Sequence, residues 1–437
     1  MPEAVYRMMT VVCALVAPLP VGTNVGVLHL LWMLVSGQVL STRGAIIPGL
    51  SACGLAPRAV RRAWAALGHG EWSSAGLLAR WQEQVVAEGR WQAHTHGGYH
   101  PVAVDVTAFW RPRLRDCPTS HYSAAAGRAL PAIPLGLIGR VGSVGGQRLA
   151  QPLAFVRAEA ADPRASAHER RVVRAAVQQC AADEVLVFDA GFGLALLQEE
   201  GVPRYVVRCA KNATFRRAEP APYQGRGRPP TRGATVRPLA RTVQGRVIPA
   251  TAPDRTETWT EEGVVLRAEV WADLRRPDAG PDSGAAPLTV VAVHDPRYRA
   301  PLLLASPLSV SPRVLHALYR DRWPVEQMPL AAKQMIGAAR QFVSAPETCQ
   351  RLPELALLAG VLLSYSAATA PAIPTGFWDR RPQPTPGRLR RALARSPFPH
   401  DFPLPARLRV KRAPTAHLPT GWWGQRGRPL PTEEVAA

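Results

Sequence analysis

The chain reads as an α/β protein in five parts, and three observations lead there. Short apolar strand patterns alternate with helix patterns between residues 99 and 215. That rhythm gives way to strand-type alternation and turn residues between 216 and 300, then returns as helical periodicity between 301 and 370. A mostly helical region, 1–98, precedes the alternating part, and a basic Pro/Arg-rich region, 371–437, follows it. With 437 residues and 47% hydrophobic content, the chain can bury sizeable cores, which excludes a wholly disordered or fibrous class.

In the N-terminal region no residue from Met8 to Thr42 carries a formal charge. Pro18, Pro20 and Gly22 divide this stretch into two apolar runs, each shorter than the ~20 residues a membrane span needs. Buried helices are therefore expected rather than a membrane anchor. Pro57 starts a compact helix whose core is 59–67. Together with Gly54, Arg58, Arg61 and Arg62 it fits the second half of a helix-turn-helix, and equally an ordinary surface helix.

The alternating part is expected to run as follows. Strands fall at 102–109, 133–139 and 153–156, a helix at 167–182, a strand at 185–188, a helix at 194–200 and a strand at 205–209. A basic loop at 224–233 and strands at 264–271 and 288–294 form a β-rich insertion, and helices occupy 312–368.

Charge points to the partner. Lys and Arg number 53 against 32 Asp and Glu, a net +21, and such an excess suits a polyanionic partner, nucleic acid before membrane. All but Lys211, Lys333 and Lys411 of these cations are Arg, a skew that a GC-rich genome also produces. The C-terminal region adds 12 basic residues against 4 acidic ones and is expected to lie extended on a surface or on DNA. Arg226-Gly-Arg228-Pro229 and Arg426-Gly-Arg428-Pro429 carry the Arg-Gly-Arg-Pro core of minor-groove hooks, although such tetrads also arise freely in this composition.

Cys13, Cys53, Cys117, Cys180, Cys209 and Cys349 lie far apart, which fits reduced core thiols and a cytoplasmic, nucleoid-associated protein. A Gly-x-Ser-x-Gly elbow and a Gly-x-x-x-x-Gly-Lys loop are both missing, which argues against a serine hydrolase and a nucleotide-driven enzyme.

Three carboxylates stand out. Asp105 sits among Val102, Val104 and Val106 inside a strand, and Asp189 ends the apolar run 185–188 before a Gly-bearing turn. Carboxylates in such places are costly unless compensated, and a bound cation is one compensation. A turn or helix cap is the other reading of each taken singly. The third, Glu326, belongs to the series Tyr319, Arg322, Glu326, Lys333. On one helix these offsets form a single polar stripe about three turns long. A salt-bridged solvent face has the same pattern, and Pro324 and Pro329 set a helix start or a kink within it.

This spacing resembles the Tyr-Arg-Glu-Lys signature of bacterial insertion-sequence transposases of family 4, within the DDE superfamily. The resemblance covers about 100–365, including a first Asp in mid-strand, a second Asp 84 residues later after an apolar strand, and a further 137 residues to Glu326 that leave room for an inserted β domain. Residues 291–298 resemble the family's strand returning before the signature helix. The resemblance implies an RNase H-like catalytic core, split by the insertion, in which Asp105, Asp189 and Glu326 are the catalytic residues and hold two Mg²⁺ ions, with Mn²⁺ as a substitute. It also implies that Arg322 and Lys333 contact phosphates of the double-stranded DNA at the transposon ends, that Tyr319 packs or hydrogen-bonds near a phosphate beside a displaced base, and that a homodimer assembles the two ends. In family members that pass through a DNA hairpin a Trp of the insertion stacks on a displaced base; Trp259 and Trp271 are the candidates here, and each reads equally as a core residue. A nuclease that cuts without joining, and a catalytically inactive DNA-binding relative, are the rival readings.

Overall fold

A computed structural model describes residues 3–160, 165–220, 222–223, 225, 231–279, 284–409, 422–423 and 428–429. Six helices come first: α1 Glu3–Val16, α2 Thr23–Val35, α3 Gln38–Ser41, α4 Ile46–Ala52, α5 Pro57–His69 and α6 Ser74–Glu88. The uncharged stretch becomes α1 to α3. Eleven of the thirteen residues of α2 are buried, so this helix is enclosed by protein on nearly all sides. Pro57 starts α5, whose apolar residues Val60, Ala63, Ala66 and Leu67 turn inward while Arg58, Arg61 and Arg62 face out. Gly26 lets α2 and α5 meet closely, because a Cβ there would lie 2.5 Å from Ala66 Cβ. Ser73 caps α6 by accepting a hydrogen bond from the Gly76 amide, and Gly89 ends it in the left-handed conformation.

Strands and helices then alternate. They are β1 Gln92–Ala93, β2 His100–Trp110, β3 Ser120–Ser123, β4 Arg128–Val144, β5 Gln147–Arg157, α7 Ala165–Gln179, β6 Glu184–Phe188, α8 Leu194–Glu199 and β7 Tyr205–Arg208. Next come β8 Phe215–Arg217, β9 Thr235–Val236, β10 Arg241–Val243, β11 Arg246–Ile248, β12 Arg255–Glu261, β13 Val264–Arg275, β14 Leu288–His294 and β15 Leu302–Ser306.

One mixed sheet gathers thirteen of the described strands, in the order β1-β4-β2-β6-β7-β15-β14-β13-β8-β9, with β3 and β5 also on β4 and β12 on β13. Strands β2, β6 and β7 run parallel, and β4 and β15 flank them antiparallel. The strand that returns the chain to β7 is β15. Residues 291–294, expected in that place, lie one strand further out, between β13 and β15. The strands of 255–294 thus continue the same sheet.

The last part holds α9 Pro312–Arg320, α10 Trp323–Leu330, a π-helical turn Ala331–Ile336, α11 Pro346–Thr369, α12 Pro386–Ala394 and α13 Ala406–Arg409. Two-residue strands β16 Trp422–Trp423 and β17 Arg428–Pro429 pair with each other. Helix α11 is long and apolar enough to cross a membrane by length and composition, but 89% of its most apolar window is buried inside the protein.

Helices cover both faces of the sheet. On one, Val172, Val173 and Ala176 of α7 pack on Val102, Val104, Leu186 and Phe188. On the other, Tyr319, Leu315 and Leu318 of α9 cover Val185, Val187 and Val206, and α10, α11 and the N-terminal helices share one apolar core over Ala103, Phe109, Leu135 and Leu137. The C-terminal region does not simply lie on the surface. Leu389, Leu393, Phe398, Phe402 and Leu408 are buried in that core, and the Phe398 ring stands edge-on to His29 and Trp32 at centroid distances of 4.8 and 6.1 Å.

Candidate active site

The site begins with a strand register. In the parallel pair β2–β6, Val104 lies opposite Phe188. One residue further on, Asp105 and Asp189 therefore fall side by side, on chains about 4.8 Å apart. Alternation along β2 points Asp105 to the same face as Ala103, Thr107 and Phe109, away from α7. That is the face α9 and α10 cover.

The signature residues reach this point from above, but not along one helix. The polar stripe expected over 319–333 is broken twice. Helix α9 ends at Arg320, and Asp321 and Arg322 turn the chain into α10, with Pro324 in its first turn. Pro329 then removes one amide donor, and the chain passes into the π-helical turn that carries Lys333 and closes at Gly337. Gly337 has φ +94°, and a Cβ there would meet the Leu40 backbone.

Despite these breaks the four side chains converge on the two aspartates. The Tyr319 hydroxyl donates to Asp189 Oδ1 at 3.1 Å, and the Arg322 guanidinium lies 5.5 Å from the Tyr319 ring centre. Arg322 donates to Glu326 Oε1 at 2.5 Å across one turn. Lys333 Nζ donates to Thr107 Oγ1 at 2.7 Å and rests 5.1 and 5.2 Å from the ring centres of Phe109 and Trp110. Arg208, at the end of β7, adds a cation 3.6 Å from Asp189 Oδ1.

The electrostatics follow from this packing. Burial pushes the Asp105 carboxyl up to about 6. Glu326 and Asp189 push in the same direction, while the Val106 amide and Arg322 oppose. Burial brings Lys333 down to about 8 against the pull of Asp105. Arg322 is held above its ordinary range: burial works against this, but Tyr319, Glu326 and Asp189 prevail. Glu326 and Asp189 are near enough to act on Asp105, and three carboxylates offer hard oxygen donors of the kind divalent ions take.

Some expected residues lie elsewhere. Trp271 is fully buried and its indole N–H donates to the Thr251 and Ala252 carbonyls at 3.2 and 3.0 Å, so it is a core residue with no face for a base. Trp259 is half-buried against His316, with ring centres 5.8 Å apart. The exposed indole next to Arg322 in the chain is Trp323, 58% exposed. Arg226, Arg228 and Arg426 lie outside the described residues.

Sequence reasoning passed over Thr107 and Arg208, and also a second set of ligand-type side chains. His94, His96 and Asp321 place one nitrogen or oxygen each within 4.8 Å of one another, a possible metal-binding cluster outside the carboxylate site. The alternation His94-x-His96 on an extended segment before Gly97-Gly98 was the available signal. Compared with known proteins, the chain matches no family model and no curated protein.

Proposed function

We propose that the protein is a DNA transposase of the DDE kind, which cleaves and joins DNA strands at the ends of its element. The observation that carries this reading is the meeting of Asp105 and Asp189 on adjacent parallel strands with Glu326, delivered by α10 beside Arg322. The run β5-β4-β2-β6-β7, with β2, β6 and β7 parallel and β4 antiparallel, supports an RNase H-like core. The net charge of +21 supports a nucleic-acid partner.

Asp105, Asp189 and Glu326 would hold two Mg²⁺ ions, which when bound supply activation of the attacking water or 3′-hydroxyl and neutralise the leaving oxygen. The remaining work belongs to side chains of this chain. Lys333, lodged between Thr107 and two aromatic rings, offers a fixed ammonium to a phosphate next to Asp105. Arg322 presents a guanidinium whose fork is held by Glu326 and Tyr319. Tyr319 orients Asp189 through its hydroxyl. A homodimer bringing two ends together, and contacts from the basic C-terminal region, complete the reading.

The test is strand chemistry. The full chain and its Glu326→Gln variant are incubated with a labelled end of the flanking element, with Mg²⁺ and with chelator. Metal-dependent nicking at the end followed by strand joining, both lost in the variant, is the expected result. Nicking alone identifies a plain nuclease, and equal binding by both proteins without any cut identifies an inactive DNA-binding relative.

A further inference from the structure

We propose that His94, His96 and Asp321 form a zinc site that ties the segment leading into β2 to the break between α9 and α10. The inference stands independently of the transposase reading, because none of its ligands belongs to the carboxylate site. His94 Nδ1 lies 2.8 Å and His96 Nε2 lies 2.7 Å from the same oxygen of Asp321, Oδ2. Residues 94 and 96 are two apart on an extended segment, so both rings project to one side. Asp321 is 1% exposed, whereas the two imidazoles are 20% and 27% exposed and leave a route from solvent.

His94 and Asp321 are held from behind, as metal ligands are, and His96 is fixed through its backbone. His94 donates its amide to the Val141 carbonyl on β4, and its other ring nitrogen sits 2.6 Å from Ser143 Oγ. His96 begins a two-residue hairpin, with mutual backbone hydrogen bonds to Tyr99 across Gly97 and Gly98, both at positive φ. A Cβ on Gly97 would meet Val314 of α9 at 2.9 Å, so the hairpin lies close against the helix that ends just before Asp321. Asp321 turns its second oxygen, Oδ1, toward Arg148 Nε at 3.4 Å, leaving Oδ2 to the two imidazoles.

The donor set favours a borderline transition ion, of which Zn²⁺ is the one proposed. Two imidazole nitrogens and one carboxylate oxygen suit Zn²⁺ and are a poor match for Mg²⁺, which prefers oxygen alone. Tetrahedral zinc with bonds of ~2.0–2.1 Å needs ligand atoms about 3.3 Å apart. The present 2.7 and 2.8 Å contacts therefore open by about half an ångström, and a water takes the fourth position. In the metal-free state both rings instead donate N–H groups into Oδ2.

The test measures metal directly. Full-length protein is purified, exchanged into Mg²⁺ buffer, and assayed for zinc by atomic emission; the stripped protein is then titrated with Co²⁺ and followed by visible absorption. About one zinc per chain and a low-coordinate Co²⁺ spectrum that saturates at about one equivalent are expected. The His94→Ala/His96→Ala variant should lose both, while Asp105→Asn/Glu326→Gln keeps both. If the double His variant does not fold, H96Q, which leaves the His94–Ser143 contact in place, carries the comparison. No zinc in the wild-type protein, zinc unchanged in the His variants, or zinc lost with the carboxylate variant each overturns the site.

Discussion

The Tyr319 hydroxyl donates to Asp189 Oδ1 at 3.1 Å, joining the last turn of α9 to the end of β6 across 130 residues of chain. Burial raises the Tyr319 hydroxyl above its ordinary range, so it remains a proton donor at neutral pH. The carboxylate it addresses is the one that the parallel register sets beside Asp105.

Replacing Tyr319 with Phe removes this donor and leaves the ring under Arg322 in place. The expected stability loss is small, about 1 kcal/mol in denaturant unfolding. The expected loss in metal-dependent cleavage is larger, on the order of tenfold or more, because Asp189 is no longer oriented. Cleavage at the wild-type rate would remove Tyr319 from the site.

Asp105→Asn separates stability from function. The carboxyl has an ordinary value of 3.8 and is pushed up to about 6 by burial, so between those values the folded state binds the extra proton. Stability of the metal-free protein therefore falls as pH rises from about 4 to about 6, by about 3 kcal/mol at most. Above pH 6 the Asn variant should melt higher than the wild type in chelator, while its strand cleavage is abolished. Equal melting curves across this pH range would mean that Asp105 carries no such cost.

Lys333 predicts the alkaline limb. Its ammonium, brought down to about 8 by burial, loses its proton as pH rises through that value, and with it the attraction for a phosphate. Affinity for the element's end should decline from pH 7 to pH 9 in the wild type and stay nearly level in Lys333→Arg, whose guanidinium keeps its charge. In the free protein the sign is opposite. Folding holds Lys333 charged at a cost below pH 8, and that cost disappears as pH climbs above it. Parallel binding profiles for the two proteins would contradict a phosphate contact by Lys333.

Phe398 and Trp271 should behave as core residues. Phe398→Ala removes a ring packed edge-on against His29 and Trp32, and is expected to cost about 3–5 kcal/mol. Trp271→Ala should cost a similar amount and also strand the Thr251 and Ala252 carbonyls. Both are measured by chemical unfolding. A variant of either that keeps wild-type stability would show its ring to be peripheral.

Much of the layout was legible along the chain. The alternation of 99–215 announced β2, β4 to β7 and α7, because strands buried on both faces carry continuous apolar runs and α7 has helical spacing. Pro57, Pro312 and Pro324 marked the starts of α5, α9 and α10 through the fixed backbone geometry of proline. The stretch 8–42 was legible as buried helix because its breakers left no run of spanning length.

By itself, the sequence determined that Asp105 lies inside an apolar strand and Asp189 at the end of one, and the spacing that ties Tyr319, Arg322, Glu326 and Lys333 together. The tertiary structure alone decided that these six meet, since their convergence depends on a parallel register between strands 84 residues apart and on two helix breaks that helical periodicity does not contain. It also brought His94 and His96 onto Asp321, more than 220 residues away. Periodicity reports only which face of an element is apolar, whereas register and break angles are set by the packing of whole elements against one another, and those contacts are long-range.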